Sequence, residues 1–221
     1  MKEKDKVAIR RRKRREPEAK RRARMLKSAE KLFLHQGYSG TSMRDIARGA
    51  KVALGNLYNH FSSKEDIFDA LIEAHSPARE LSELIEIVEI EKFPSNLFEL
   101  AKALKEIVER NSVFIRLTDI DGIEFGGRKT SKIIKKTVEM VGAPFFELYR
   151  KHAGQNLVRK FDPFVGLPFV ALMLVAIFVV RDRFGESGLF DKRLREDDYD
   201  LKQITDIILY GITPRENVRV D

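Results

Sequence analysis

Residues 41–65 read TSMRDIARGAKVALGNLYNHFSSKE, and this stretch decides the fold of the first part of the chain. It opens with an N-cap signal at Thr41-Ser42. The following residues predict a short helix through residue 48 whose inward face is apolar at helical spacing: Met43, Ile46 and Ala47. After a break at 49–52, a second short helix is predicted over 54–61. Two short helices this close together are typical of a helix-turn-helix.

The sequence on either side of this stretch predicts two longer helices. The first runs from about Glu18 to Gln36, because its apolar residues form one buried stripe: Met25, Ala29, Leu32 and Phe33. Gly37 occupies the position of a helix C-terminal glycine. On the other side, Ser62-Ser63-Lys64-Glu65 caps a helix that extends to about His75 and ends before Pro77.

The helix predicted over 54–61 has two faces of different chemistry. Leu57 and Phe61 are four residues apart and are expected in the core, with Ile46, Leu32 and Phe33. The other surface carries residues of the types that can contact DNA bases and phosphates: Leu54, Asn56, Tyr58, Asn59 and His60. Amides bond base edges, and Tyr and His can bond phosphate oxygens. A helix fits the major groove, where the base edges show a full donor and acceptor code.

These residues resemble the TetR family of regulators over roughly 22–70. The resemblance is carried by Ala29, Leu32-Phe33, Gly37-Tyr38, the run from Thr41 to Ala47, and the run from Gly55 to Glu65. It implies an all-α protein in which an N-terminal three-helix helix-turn-helix domain binds DNA and a C-terminal helical domain dimerises and binds a ligand. The predicted domains are a basic arm at 1–20, the DNA-binding domain at 21–76, and the ligand-binding and dimerisation domain at 77–221.

The resemblance also assigns roles to individual residues. Thr41 and Ser42 would cap the second helix and offer donors to a phosphate, and Arg44 would lie at the groove edge. The specificity positions would be Leu54, Asn56 and Asn59, with Gly55 allowing close approach of the backbone to DNA. Tyr58, His60 and Lys64 would contact phosphates, the last beside a helix N-terminus. The full predicted DNA-binding set is Arg24, Thr41, Ser42, Arg44, Leu54, Gly55, Asn56, Tyr58, Asn59, His60 and Lys64. Leu54 packed against the body and His60 without a DNA role are the alternatives.

Two positions depart from the family pattern. Lys51 stands where the family usually has Gly, and if the turn needs a positive φ there, Lys costs about 1 kcal/mol. Ala53 stands where Ser or Thr often begins the reading helix, and a missing cap costs about 1 kcal/mol.

The positive charge is concentrated at the N-terminus. The chain has 221 residues and a net charge of +8. Residues 1–27 hold fourteen Lys/Arg and four Asp/Glu, so they carry +10 and the rest of the chain carries −2. Such an arm is expected to contact a polyanion, with a solvated tail as the alternative.

The second part of the chain predicts further helices and few strands. The segments with helical apolar spacing are 95–110, 111–121, 130–152, 163–184 and 198–211. Residues 119–129 contain three glycines and are predicted to form an irregular loop. Phe164–Val180 is an uncharged run of 17 residues, shorter than the roughly 20 that span a membrane. A helix apolar on all sides is expected to be buried, so no membrane partner is predicted.

The family resemblance implies a homodimer through the helices 163–184 and 198–211, and hence a near-palindromic operator in double-stranded DNA. It also implies a ligand inside the body. The side chains that could line a pocket are Phe114, Phe125, Met140, Phe145, Tyr149, Phe169 and Met173, with plain core packing as the alternative. They indicate a small apolar or aromatic effector.

Other function classes find little support in the sequence. The chain has no cysteine, which excludes disulfides and thiolate zinc sites. His35, His75 and His152 are too scattered for a metal site, and no nucleophile–base set or phosphate-binding glycine loop is present, so neither an enzyme nor a cofactor is expected. With no signal peptide apparent, a cytoplasmic location is expected. The open alternatives to a ligand-responsive repressor are an architectural protein that binds DNA through the basic arm and a membrane-tethered regulator.

Overall fold

The computed structural model describes residues 16–87, 92, 95–154, 176, 179–180 and 199–212. No strand occurs among these residues, and the prediction of an all-α fold is confirmed. The helices are α1 (Glu18–Gln36), α2 (Met43–Gly49), α3 (Leu54–Tyr58), α4 (Lys64–Ala74), α5 (Ala78–Ile87), α6 (Leu97–Arg110), α7 (Ser112–Phe125), α8 (Arg128–Gly154) and α9 (Tyr199–Ile212).

The local signals set the bounds of α1 and α4. α1 covers the predicted range and ends at Gly37, whose φ of 79° and N–H bond to the Phe33 carbonyl match the predicted C-terminal glycine. α4 begins where its serine cap predicts, because Ser63 Oγ accepts a hydrogen bond from the N–H of Asp66 at 3.0 Å.

The prediction of an irregular loop over 119–129 is wrong. α7 continues to Phe125, and only Gly126 and Gly127 interrupt the helices, with φ of 63° and 75°. Gly122 remains helical, since an isolated glycine costs a helix only about 1 kcal/mol. The prediction from the three glycines therefore made the loop between α7 and α8 too long. α5 was not among the predicted segments.

The chain divides into two compact units. The described part of the first is 16–74 together with 120–127. In it α1 packs on α2 and α4, and α2 packs on α3. Its largest fully buried side chains are Met25, Phe33, Ile46, Leu57, Phe61, Ile67, Phe68, Leu71 and Ile72. The predicted domain ended at 76, and segment 120–127 was expected in the second domain.

The described part of the second unit is 75–87, 92, 95–119, 128–154, 176, 179–180 and 199–212. There α5 packs on α6 and α8, and α6 packs on α9. The buried side chains include Leu97, Leu100, Ala101, Ile107, Val108, Leu117, Leu201 and Ile208. Of the predicted helix 163–184, only residues 176, 179 and 180 are described, and they are helical. Within the described residues, no helix combines the length and the apolar character that crossing a membrane requires.

Candidate nucleic-acid interface

The N-terminus of α2 is closed by a capping box. Ser42 Oγ accepts from the N–H of Asp45 at 3.2 Å, and a carboxylate oxygen of Asp45 accepts from the N–H of Ser42 at 3.1 Å. The hydrogen bonds from Ser42 hold the pKa of Asp45 below its usual 3.8, and Arg48, which pairs with Asp45, lowers this pKa further. Ser42 therefore caps the helix as predicted.

Thr41 has a different environment from the expected one. Its side chain is buried, and its hydroxyl donates to the Gly37 carbonyl at 2.8 Å and accepts from Nε2 of Gln36 at 3.3 Å. Both interactions stabilise the turn between α1 and α2. The hydroxyl faces the turn, and the phosphate contact expected of Thr41 stays a prediction.

The turn after α2 contains a residue with a positive φ, at the position where lysine replaces the glycine usual in the family. Lys51 has φ 53° and is the only non-glycine residue with a positive φ in the described part of the chain. Its N–H donates to the Arg48 carbonyl at 3.1 Å, and the N–H of Val52 donates to the Ala47 carbonyl at 3.0 Å. These two bonds form a Schellman motif with lysine in the place that glycine usually takes.

The close approach of α1 to α2 depends on a small residue before this turn. Ser28 Oγ donates to the Ile46 carbonyl at 3.0 Å. A Cβ on Gly49 would lie 2.4 Å from that same Oγ, so Gly49 leaves the space that the Ser28 hydroxyl occupies.

α3 begins without a side-chain cap. Its N-cap is Ala53, as the sequence indicated, and no side chain bonds the first N–H groups. The helix ends at Tyr58, earlier than the predicted residue 61, because Asn59 and His60 form a turn. Leu57 and Phe61 are both fully buried, so the predicted inward face of the segment is confirmed.

The opposite face of α3 is open to solvent. Tyr58 is 51% exposed, and Gly55 and Asn59 are also exposed. Leu54 and Asn56 are half-buried. A Cβ on Gly55 would have no atom within 4 Å, which leaves this part of the backbone accessible to a large partner. The segment thus presents an amide, a phenol and bare backbone on one side of a helix anchored by the other side.

His60 is enclosed rather than placed on this surface. Its side chain is 9% exposed, and its Nδ1 lies 4.0 Å from Oε1 of Glu18 at the start of α1. The guanidinium of Arg22 lies 4.9 Å from the centre of the adjacent Phe61 ring. The ring lies against the start of α1, and the phosphate contact expected of His60 stays a prediction.

Lys64 interacts with the protein backbone. Its Nζ donates to the carbonyls of Tyr38 at 2.7 Å and Thr41 at 2.8 Å, and lies 4.1 Å from the centre of the Tyr38 ring. Burial lowers the pKa of Lys64, and the nearby Glu124 carboxylate opposes that shift. In this structure the ammonium holds the turn at 38–41, and the phosphate contact expected of Lys64 stays a prediction.

The segment at the end of α7 completes the first unit, which the sequence did not indicate. Both carboxylate oxygens of Glu124 accept hydrogen bonds from Ser39, from its hydroxyl at 2.6 Å and from its N–H at 3.3 Å. The Phe125 ring is 4.8 Å from that of Tyr38 and 5.3 Å from that of Phe68. Phe125, expected to line a pocket of the body, is half-buried and packs on aromatic rings of the first unit.

The remaining predicted residues fall into two groups. Arg44 is exposed on the first turn of α2, and Arg24 is 43% exposed and pairs with Glu16 at 3.1 Å. Of the expected pocket residues, Phe114 is buried in the second unit. The side chains of Met140, Phe145, Tyr149, Phe169 and Met173 lie outside the described residues. Among the described residues, no cluster of His, Asp and Glu could hold a metal ion.

The fold and this surface define the first unit as a helix-turn-helix domain. Residues 25–71 match the model of the bacterial regulatory proteins of the tetR family. This part of the chain is therefore similar to the N-terminal region of tetR-family regulators.

Curated relatives match over about a quarter of the chain. The transcriptional repressor KstR2 of Mycobacterium tuberculosis is 44% identical over 52 residues, which cover 24% of this chain and 26% of KstR2. The transcriptional activator FasR of Mycolicibacterium smegmatis is 37% identical over 59 residues, 27% of each chain. The chain thus matches about a quarter of the length of these relatives.

Solved structures match over most of the chain. The ketosteroid transcriptional regulator KstR2 of Mycobacterium tuberculosis has a TM-score of 0.60 at 19% identity, covering 88% of this chain and 96% of its own. NalD, the secondary repressor of the MexAB-OprM multidrug efflux pump in Pseudomonas aeruginosa, has a TM-score of 0.63 at 21% identity, covering 90% and 100%. These matches show a shared fold.

Proposed function

We propose that the protein is a sequence-specific DNA-binding transcription regulator, acting as a ligand-responsive homodimeric repressor on a near-palindromic operator. The observation that carries this proposal is the two-sided build of 54–61. Leu57 and Phe61 are buried, and Gly55, Tyr58 and Asn59 are exposed. Burial on one side fixes the orientation of the helix, and the exposed side offers groups that bond bases and phosphates.

The α2 N-terminus would add contacts beside the reading helix α3. Ser42 is exposed at the N-cap and Arg44 is exposed in the first turn of the helix. An arginine there can bond a phosphate and set the register of α3 on the duplex. Such contacts give affinity without sequence information, whereas Asn56 and Asn59 would distinguish bases.

Exposed apolar side chains on α9 support dimerisation through the C-terminal helices 163–184 and 198–211. Ile207 is 70% exposed and Tyr210 is 51% exposed in the single chain. Val180, within the other helix of the proposed interface, is also exposed. Large apolar side chains three residues apart on one helix face are typical of a surface that a second copy covers. A two-fold dimer presents two copies of α3, and therefore requires a near-palindromic site.

The effector is proposed to be a small apolar or aromatic molecule bound in the second unit. Two observations support an apolar effector. Phe114 is buried in the second unit. The proteins of similar fold include a ketosteroid regulator and a repressor of a multidrug efflux pump. If the ligand weakens DNA binding by some factor, DNA weakens ligand binding by the same factor. A regulator that binds DNA must be in the compartment that contains the DNA, so the proposed location is the cytoplasm.

Selection of bound duplexes from a random pool tests the proposal. The full chain should enrich a motif with two inverted half-sites whose centres are about one helical turn apart. The enriched duplex should bind a dimer in sedimentation experiments. An architectural protein would instead enrich no motif and would bind all duplexes with a steep salt dependence. Failure to enrich any motif would contradict sequence-specific recognition.

A further inference from the structure

The turn between α2 and α3 contains a lysine in a backbone conformation that favours glycine. Lys51 has φ 53°, and no other non-glycine residue in the described part of the chain has a positive φ. A Cβ makes this conformation unfavourable, because it comes too close to the neighbouring backbone. Backbone strain of this kind is concentrated at functional sites, so the lysine side chain is a candidate for a functional contact.

The protein itself does not use the charged end of this side chain. Lys51 is exposed, and its N–H donates to the Arg48 carbonyl at 3.1 Å. The ammonium has neither an ion pair nor a hydrogen bond to any residue that the structure describes. A glycine would make the same backbone bond without the strain. Within the described residues, no polar contact of the side chain therefore offsets the strain.

Lys51 stands directly before the reading helix. It follows Gly49, the last residue of α2, by two positions and precedes Leu54, the first residue of α3, by three. When a helix-turn-helix binds DNA, its first helix crosses the phosphate backbone and the start of its second helix enters the major groove. The turn that joins the two helices then lies at the edge of the groove, where a long exposed side chain can reach a phosphate.

The surface around Lys51 is also cationic. Arg44 and Arg48 are exposed one turn apart on the same side of α2, and Lys51 continues this series into the turn. Asp45, which pairs with Arg48, is the only acidic residue in 42–61. The exposed residues of α3 carry no charge. Positive charge for a duplex on α3 must therefore come from outside that helix, and the turn is the part of the chain directly before it.

We propose that the Lys51 ammonium binds a backbone phosphate at the edge of the groove that α3 reads, and that its charge raises DNA affinity at a cost in stability. This inference rests on the proposed DNA binding and extends it to a residue outside the predicted DNA-binding set. The contact is electrostatic, so it strengthens binding to all sequences and leaves the preference among bases to α3. The strain comes from the Cβ and the affinity from the ammonium, so substitutions can separate the two.

Three substitutions in the full chain make this separation. Lys51→Gly removes the strain and the charge, Lys51→Ala removes the charge and keeps the Cβ, and Lys51→Arg keeps both. DNA affinity should fall several-fold, and equally, in Lys51→Gly and Lys51→Ala, and Lys51→Arg should retain it. Only Lys51→Gly should have a higher melting temperature than the native chain, because glycine adopts this φ without strain.

Fluorescence anisotropy measures binding to the selected operator and to a duplex of mixed sequence, between about 50 and 200 mM salt. Lys51→Ala should weaken binding to both duplexes by the same factor. Its salt slope should fall by about 0.9, so the rise in salt should weaken its binding about 3.5-fold less than that of the native chain. Lys31→Ala removes an exposed lysine of α1, in the same unit, and is the matched control that should change binding much less.

A purely structural role for Lys51 gives the opposite result, because Lys51→Gly would then bind DNA at least as tightly as the native chain. That outcome would overturn the inference, as would an equal loss in Lys31→Ala or a loss confined to the operator. In each of these cases the operator would still be selected, so the proposed function would stand. If the full chain selected no motif, sequence-specific recognition would fail, and the duplex of mixed sequence would still test the Lys51 contact. Binding to neither duplex would overturn both.

Discussion

The two helices of the helix-turn-helix are stabilised in different ways. α2 has a capping box at its start, made by Ser42 and Asp45, and a Schellman motif at its end. α3 starts at Ala53 without a side-chain cap and has five residues. Its position depends on the burial of Leu57 and Phe61. Because α3 is anchored mainly through Leu57 and Phe61, the exposed residues Gly55, Tyr58 and Asn59 can change with little effect on the fold.

The largest expected effect comes from removing the anchor of α3. Leu57→Ala should lower the free energy of unfolding by about 2–5 kcal/mol, since Leu57 is fully buried and the change leaves a cavity. Urea unfolding measures this. The neighbouring Tyr58→Ala is the matched control and should stay within about 0.5 kcal/mol, because Tyr58 is exposed. Equal stability of the two variants would contradict the division of α3 into an anchoring and a free face.

The second prediction concerns the free face. Tyr58→Ala should weaken binding to all duplexes, because a phenol contact to phosphate carries no sequence information. Asn56→Ala should instead relax the preference at one or two bases, by about 1–3 kcal/mol. Binding to the selected operator and to single-base variants of it separates the two effects. If neither substitution alters operator binding, α3 is not the reading helix.

Substitutions at the N-caps of α2 and α3 should change the stability of the protein in opposite directions. Ser42→Ala should lower the free energy of unfolding by about 1 kcal/mol, whereas Ala53→Ser should raise it by up to about that amount by supplying the missing cap.

Because the hydrogen bonds of Ser42 lower the pKa of Asp45, their stabilisation is present above about pH 4 and is lost as the pH falls through the folded-state pKa. The difference between the native chain and Ser42→Ala should therefore shrink in acid. A constant difference at all pH values would argue against the capping box.

Gly55→Ala should separate folding from DNA binding. The added Cβ meets no atom of the protein within 4 Å, so the helix should gain up to about 1 kcal/mol. The same methyl group would occupy the space through which the backbone approaches DNA, and operator binding should weaken. Thermal unfolding and anisotropy on one preparation test both parts. Unweakened binding would mean that DNA does not approach α3 at this residue.

The smallest effect is expected at the turn between the two helices. Lys51→Gly should raise stability by about 1 kcal/mol or less, because φ 53° strains a lysine but not a glycine. Lys51→Ala retains a Cβ and serves as the control, with little expected gain. Equal stabilisation by both substitutions would assign the effect to the lost charge and not to the backbone.

Local signals in the sequence predicted the helices of the first unit well. The bounds of α1, the serine caps of α2 and α4, and the missing cap at Ala53 each depend on residues within a few positions of one another. The same is true of the positive φ at Lys51, which follows from its place after α2. Hydrogen bonds of this kind form between near neighbours, so the residue types alone are sufficient to predict them.

The sequence did not indicate the contacts that three polar residues of the helix-turn-helix make within the protein. Thr41, His60 and Lys64 each interact with other parts of the first unit, and their expected phosphate contacts stay predictions. Lys64 lies 26 residues from Tyr38, whose carbonyl it bonds, and His60 is covered by residues near position 20. No local pattern indicates which of several polar side chains another helix will cover.

The sequence by itself determined that the chain is helical, that 41–65 forms a helix-turn-helix, and which face of α3 is anchored, because helical spacing and capping are local properties. Only the tertiary structure decided that the end of α7 belongs to the first unit. Glu124 bonds Ser39 from 85 residues away, and Phe125 joins the rings of Tyr38 and Phe68. Such contacts depend on how the chain folds back on itself. The apolar spacing of a helix indicates which face is buried, but not which segment packs on that face.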